Sequence, residues 1–107
     1  MIPTPYRLKL RSEQEFFAQA QRFSTRLFVI YHRRPTNVPQ VAVIIPKRKI
    51  AKTVHRNKLK RQLYSLLYQM KDQLPTKEIV VYYKAPFMAS YQELAADLAQ
   101  NLGKIKT

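Results

Sequence analysis

There is no cysteine and no tryptophan in these 107 residues, and only one glycine, Gly103. Without thiols the chain has no disulfide staple and no thiolate metal site, a usage that fits a reducing compartment. Without an interior glycine it has no Gly-rich loop of the kind that cradles phosphate on backbone N–H groups. Acids are scarce: Glu13, Glu15, Asp72, Glu78, Glu93 and Asp97 are all of them. A two-metal nuclease needs clustered carboxylates. None of these six stands in a ligand-like cluster, so the expectation is no catalytic residue, no metal ligand and no cofactor held by the protein itself. No apolar run approaches the roughly 20 residues of a membrane helix. The opening Met1-Ile2-Pro3-Thr4-Pro5 lacks the basic-then-apolar order of a signal peptide, which predicts a cytoplasmic protein. The length fits one domain over 1–107.

What the chain has in excess is positive charge. Twenty Lys and Arg face six acids, for a formal net charge of +14. Such a charge repels itself in the compact state and calls for a polyanionic partner. Nucleic acid is the first candidate and an anionic membrane surface the second. The charge is also segregated. Residues 46–61 (PKRKIAKTVHRNKLKR) hold eight of the 20 basic residues and no acid, while 76–107 are nearly balanced. The distribution is that of an electrostatic footprint.

The rest of the chain reads as alternating short elements. Ser12 and Glu15 form a capping-box signature for a helix to about residue 21 that buries Phe16, Phe17 and Ala20. Residues 26–33 (RLFVIYHR) are β-branched and aromatic and read as a strand. Pro35-Thr36-Asn37 makes a turn, and 40–45 (QVAVII) form a second strand ended by Pro46. A long helix spans about 53–70. On it Leu59, Leu63, Leu66, Leu67 and Met70 fall within about 100° of one another as a core stripe. Asn57, Arg61, Tyr64 and Tyr68 lie on the other side, with Lys60 at the border. Residues 78–83 (EIVVYY) form a third strand and 91–102 a last helix. The pattern is that of a compact α+β sandwich.

The basic segment carries the chemistry. Arg56 and Lys60 are four apart, as are Asn57 and Arg61, so each pair projects from neighbouring turns. Arg56 and Asn57 stand in the first turn, where free N–H groups and the helix dipole favour phosphate. Arginine binds phosphate as a fork and lysine as a point charge. Asn57 suits a phosphate, a 2′-OH or a hydrated metal ion held by RNA. Phe16, Phe17, Phe28 and Tyr31 are candidate base-stacking surfaces, each with a competing place in the core; Tyr64, Tyr68, Tyr82 and Tyr83 share that ambiguity. Two other readings stay open. One is a structural RNA-binding protein of ribosomal type. The other is a protein-only nuclease using His32, His55 and Lys52 in acid–base chemistry.

Lys47-Arg48, the short basic loop after them, and a helix opening Arg56-Asn57-x-x-Lys60-Arg61 resemble the signature of the bacterial ribonuclease P protein family. The similarity continues through residues 7–16, 26–31 and 78–86. It implies a two-layer α+β fold of order α-β-β-β-α-β-α with a left-handed βαβ crossover, an exception to the usual hand. One of its strands would be short and lie near 50–54. It further implies a protein that binds the ribonuclease P RNA and the single-stranded 5′ leader of precursor tRNA. Hydrolysis would then fall to the RNA, with magnesium. On this resemblance Lys47, Arg48, Lys52, Arg56, Asn57, Lys60 and Arg61 contact RNA, and Phe16, Phe17 and Tyr31 line a leader cleft. Ala42 stands where the family usually has glycine. Ala20 stands where a second aromatic is common, for which Phe17 or Phe23 would substitute.

Overall fold

The structure, a computed structural model, describes residues 6–9 and 13–102. Seven elements follow one another: α1 (Glu13–Gln19), β1 (Gln21–Ser24), β2 (Phe28–Pro35), β3 (Gln40–Ile44), α2 (Thr53–Gln69), β4 (Lys77–Tyr83) and α3 (Tyr91–Asn101). The order α-β-β-β-α-β-α agrees with the resemblance. The sheet runs β1-β2-β4-β3. β4 is antiparallel to β2 and parallel to β3, so α2 is the crossover of a βαβ unit.

The short strand is not near 50–54. It is β1, paired antiparallel with β2 from Gln21↔His32 to Ser24↔Val29. Where a strand was expected, Ile50 is buried as a plug in the main core and Lys52 is the extended N-cap of α2. The Ser12 capping box lies outside the described residues. β2 starts two residues later than 26–33 suggests because Thr25 closes a tight turn. Its Oγ1 accepts from Phe28 N at 3.0 Å, and its own N–H reaches Phe28 O at 2.8 Å.

The two sheet faces differ. Phe28 and Ile30 of β2, Val41 and Val43 of β3, and Ile79, Val81 and Tyr83 of β4 pack with α2 and α3 into the main core. From α2 come Leu59, Leu63, Leu66 and Leu67, all buried, and its C-cap Met70 is partly so. The second face carries a smaller cluster in which Leu8 and Phe16 cover Ala42 and Val80. Thus α1 lies across part of the face opposite α2.

Three polar anchors fix the ends of elements. Tyr83, fully buried, packs edge-on against Phe28. Its hydroxyl donates to Phe87 O at 2.5 Å and accepts from Ala89 N at 3.1 Å, tying the β4–α3 loop to the core. Ser90 and Glu93 then close a reciprocal capping box at the start of α3. Asp97, buried on α3, accepts from Leu27 N at 2.8 Å and from Asn101 Nδ2 at 2.9 Å. The carboxylate thereby clamps α3 onto the bend before β2. The outer edge of β3 is covered too: Leu8 N donates to Val41 O at 2.9 Å and Val43 N donates to the Tyr64 hydroxyl at 3.1 Å.

Removing the Asp97 acceptor leaves the Leu27 N–H buried without a partner. Asp97→Ala is expected to lower the unfolding free energy by about 1.5–3 kcal/mol, read by denaturant titration.

Candidate nucleic-acid interface

Residues 46–52 form a turn, with Lys49 N and Ile50 N both donating to Pro46 O. The buried Ile50 pins that turn to the core, and Lys47, Arg48 and Lys52 project outward, exposed. α2 begins at once. Its N-cap, Lys52, offers no side-chain cap, and its first turn contains no acid.

Arg56 organises this end of the helix. Its Nη1 donates to Ile50 O at 2.9 Å and Ala51 O at 2.6 Å, and its Nη2 to Thr53 Oγ1 at 3.0 Å. The half-buried guanidinium is a clamp on the loop carbonyls. With its donors on the loop and on Thr53, it is not the open phosphate fork that the sequence suggests. Asn57, Lys60 and Arg61 do come together. With Val54 and Tyr64 they line a groove of about 550 Å³. None of the three makes an ion pair or hydrogen bond among the described residues.

A second surface lies on the sheet face beside α1. Phe17 and Tyr31 are half-buried, with rings 4.6 Å apart. Phe16 is different. It is only 2% exposed, lies edge-on to Phe17, and has the Arg33 guanidinium 4.9 Å above its ring. Arg33 is in turn held by Glu78 at 3.0 Å and Gln19 at 2.9 Å. Phe16 is therefore packed beneath the surface, and the expectation that it lines an open cleft is corrected. The strand register decides what the sequence leaves open. Val29 stands opposite Tyr82, and Tyr82 opposite Ile44, so the three half-buried side chains form a row next to Tyr31. Arg22, exposed, stands opposite Tyr31. Arg48 Nη2 donates to the Tyr82 hydroxyl at 3.3 Å, joining this row to the basic loop. The two-residue alternation back from Tyr31 points to Val29; Tyr82 and Ile44 needed the sheet register.

The remaining tyrosines sort out. Tyr83 is core. Tyr64 and Tyr68 are half-buried, and Tyr68 packs edge-on to Tyr6. The histidines are separated: His32 is buried, on the sheet face opposite Tyr31, and His55 is exposed on the first turn of α2. His32 Nδ1 lies 3.0 Å from Lys77 Nζ. Burial, then the Lys77 charge, hold its pKa below the usual 6.5. A buried histidine against a lysine has no access to a substrate, which overturns the two-histidine nuclease reading. Among the described residues no three His, Asp or Glu side chains gather to hold a metal ion, and no helix is long and apolar enough to cross a membrane.

Residues 2–106 match the family model described as Ribonuclease P. The chain belongs to the ribonuclease P protein family. Within it, the chain is 31% identical over 103 residues to the ribonuclease P protein component of a Geobacillus species, covering 92% of this chain and 89% of that one. A streptococcal ribonuclease P protein component is 34% identical over 77 residues, or 71% of this chain and 65% of its own length. The fold is similar to the solved ribonuclease P protein of Thermotoga maritima, with a TM-score of 0.82 at 21% identity over 94% of this chain and 98% of that one. It is similar also to that of Staphylococcus aureus, with a TM-score of 0.75 at 23% identity over 89% and 90% of the two chains. A ribonuclease P protein is a subunit of the enzyme that matures the 5′ ends of tRNAs.

Two measurements test this geometry. Arg56→Lys keeps the charge and loses the fork. It is expected to speed amide hydrogen exchange across residues 49–52 as much as Arg56→Ala does; full protection in the lysine variant would sink the clamp. For His32, a pKa lowered by folding means the unfolded chain binds more protons at mildly acidic pH. Stability is then full above about pH 6.5 and declines as pH falls below it. His32→Gln is expected to flatten that decline in urea titrations between about pH 7 and about pH 5.

Proposed function

We propose that the basic loop and the α2 groove bind the ribonuclease P RNA, while the strip on the sheet face holds the single-stranded 5′ leader of precursor tRNA. Lys47, Arg48, Lys52, Asn57, Lys60 and Arg61 supply the RNA contacts, and Arg56 keeps the loop in shape for them. Phe17, Tyr31, Val29, Tyr82 and Ile44 offer the stacking strip, with Arg22 and Arg48 for its phosphates. The observation that carries this reading is the contact between Arg48 and Tyr82. It makes one continuous surface of a cationic loop and an aromatic strip, the combination by which proteins hold single strands. The chemistry is left to the RNA and its magnesium ions. The protein adds leader affinity and screens RNA–RNA repulsion, acting in the cytoplasm, where tRNA precursors are made.

The test is cleavage of precursor tRNA at low magnesium by a bacterial ribonuclease P RNA alone, the chain alone, and both together. Activity is expected only in the mixture, with the mature 5′ end as product. Tight RNA binding without any gain in cleavage would instead mark a structural RNA-binding protein. Tyr31→Ala and Tyr82→Ala are each expected to weaken binding of leader-bearing substrate roughly 5-fold or more, and to leave leaderless tRNA unchanged. Phe16→Ala should behave otherwise. As a core truncation it costs about 3 kcal/mol or more of stability and affects both substrates alike.

A further inference from the structure

Two exposed aromatics, Phe87 and Tyr91, have no part in either surface. Tyr91 opens α3 and is 42% exposed. Its backbone is held between Ser90 and Glu93 of the capping box. Across a shallow groove of about 360 Å³ stand Lys58, Arg61, Gln62 and Ser65 of α2. Lys58 and Arg61 make no ion pair or hydrogen bond among the described residues. Arg61 also lines the groove of Asn57 and Lys60, so the two grooves meet at one side chain.

The chemistry of the lining narrows the occupant. A tyrosine ring on a fixed helix start is a stacking platform that any base can use. Two unpaired cations beside it suit a phosphate. Gln62 and Ser65 offer donors and acceptors for a base edge or a 2′-OH. An apolar partner would desolvate Lys58 and Arg61 without compensation, and an acidic peptide would leave the ring unused. We propose that this groove takes an unpaired nucleotide of the RNA subunit, its base stacked on Tyr91 and its phosphate between Lys58 and Arg61. The RNA strand then crosses α2 over Arg61, from one groove to the other. The inference rests on the reading that α2 faces that RNA.

The test uses the full chain and a bacterial ribonuclease P RNA. Filter binding over a salt series gives affinity and salt slope, and 2′-hydroxyl acylation footprints the complex. Tyr91→Ala and Tyr91→Leu are each expected to weaken binding roughly 5-fold or more and to unprotect an unpaired nucleotide. Their salt slope should stay that of the parent, because no charge is removed. Tyr91→Phe should match the parent throughout, and Lys58→Gln should reduce the slope by about 0.7–0.9. Equal thermal melting of the variants and the parent excludes a folding defect. Parent-like affinity and footprint in both Tyr91→Ala and Tyr91→Leu overturn the proposal and leave RNA binding by α2 standing. A parent chain that fails to bind the RNA brings down both. Retention on phosphatidylglycerol vesicles that needs Tyr91, with RNA binding unchanged, would assign the groove to a lipid surface and also overturn it.

Discussion

The fold depends on β4 lying between β2 and β3. Ile79, Val80 and Val81 are completely buried, so this strand is covered on both faces. It meets β2 antiparallel and β3 parallel. A parallel neighbour cannot be reached through a tight turn, and the chain must travel back along the sheet before pairing. α2 is that return. The chain therefore leaves β3 at the end of the sheet where β4 also finishes. This is why the basic loop comes to rest beside Tyr82 and why the Tyr83 hydroxyl can order the loop into α3. The site is a consequence of the crossover.

Electrostatics follow the same division. Three of the six carboxylates are occupied away from α2. Glu78 holds Arg33 in a half-buried pair, Glu93 meets Arg26 at the surface, and Asp97 serves the backbone. The cations of the loop and of α2 stay uncompensated, at a cost in self-repulsion that a polyanion relieves. Binding and charge relief are thus one event, and salt controls both.

The elements legible in the sequence were those with uninterrupted periodicity and clear stops. β3 ends near Pro46, β4 near Pro86, and α2 before Leu74-Pro75, and the leucine stripe of α2 gave its buried face. β1 was missed because QRFS is four residues with three exposed and no apolar alternation. It is a strand by virtue of its pairing with β2. The signature Ser90-Tyr91-Gln92-Glu93 is as plain as the one at Ser12, and it closes as a full capping box. In the site, composition located the charge but not its direction. Arg56 spends two hydrogen bonds on the Ile50 and Ala51 carbonyls, which only a folded loop brings near, and a third on the Thr53 hydroxyl. Phe16 and Phe17 are adjacent in sequence and about 100° apart on a helix. Their order gives no sign of which one faces the core, whereas packing on Ala42 and Val80 decides it.

The covered edge of β3 has a further meaning. A bare strand edge is a template on which a second copy can pair. In the free protein, strong like charge already keeps copies apart. Once RNA neutralises that charge, repulsion no longer separates neighbouring molecules. The Leu8 and Tyr64 contacts along β3 do not depend on charge and stay in place after neutralisation. They protect this edge of the sheet in the crowded, neutralised ribonucleoprotein, where solubility by charge has been given up.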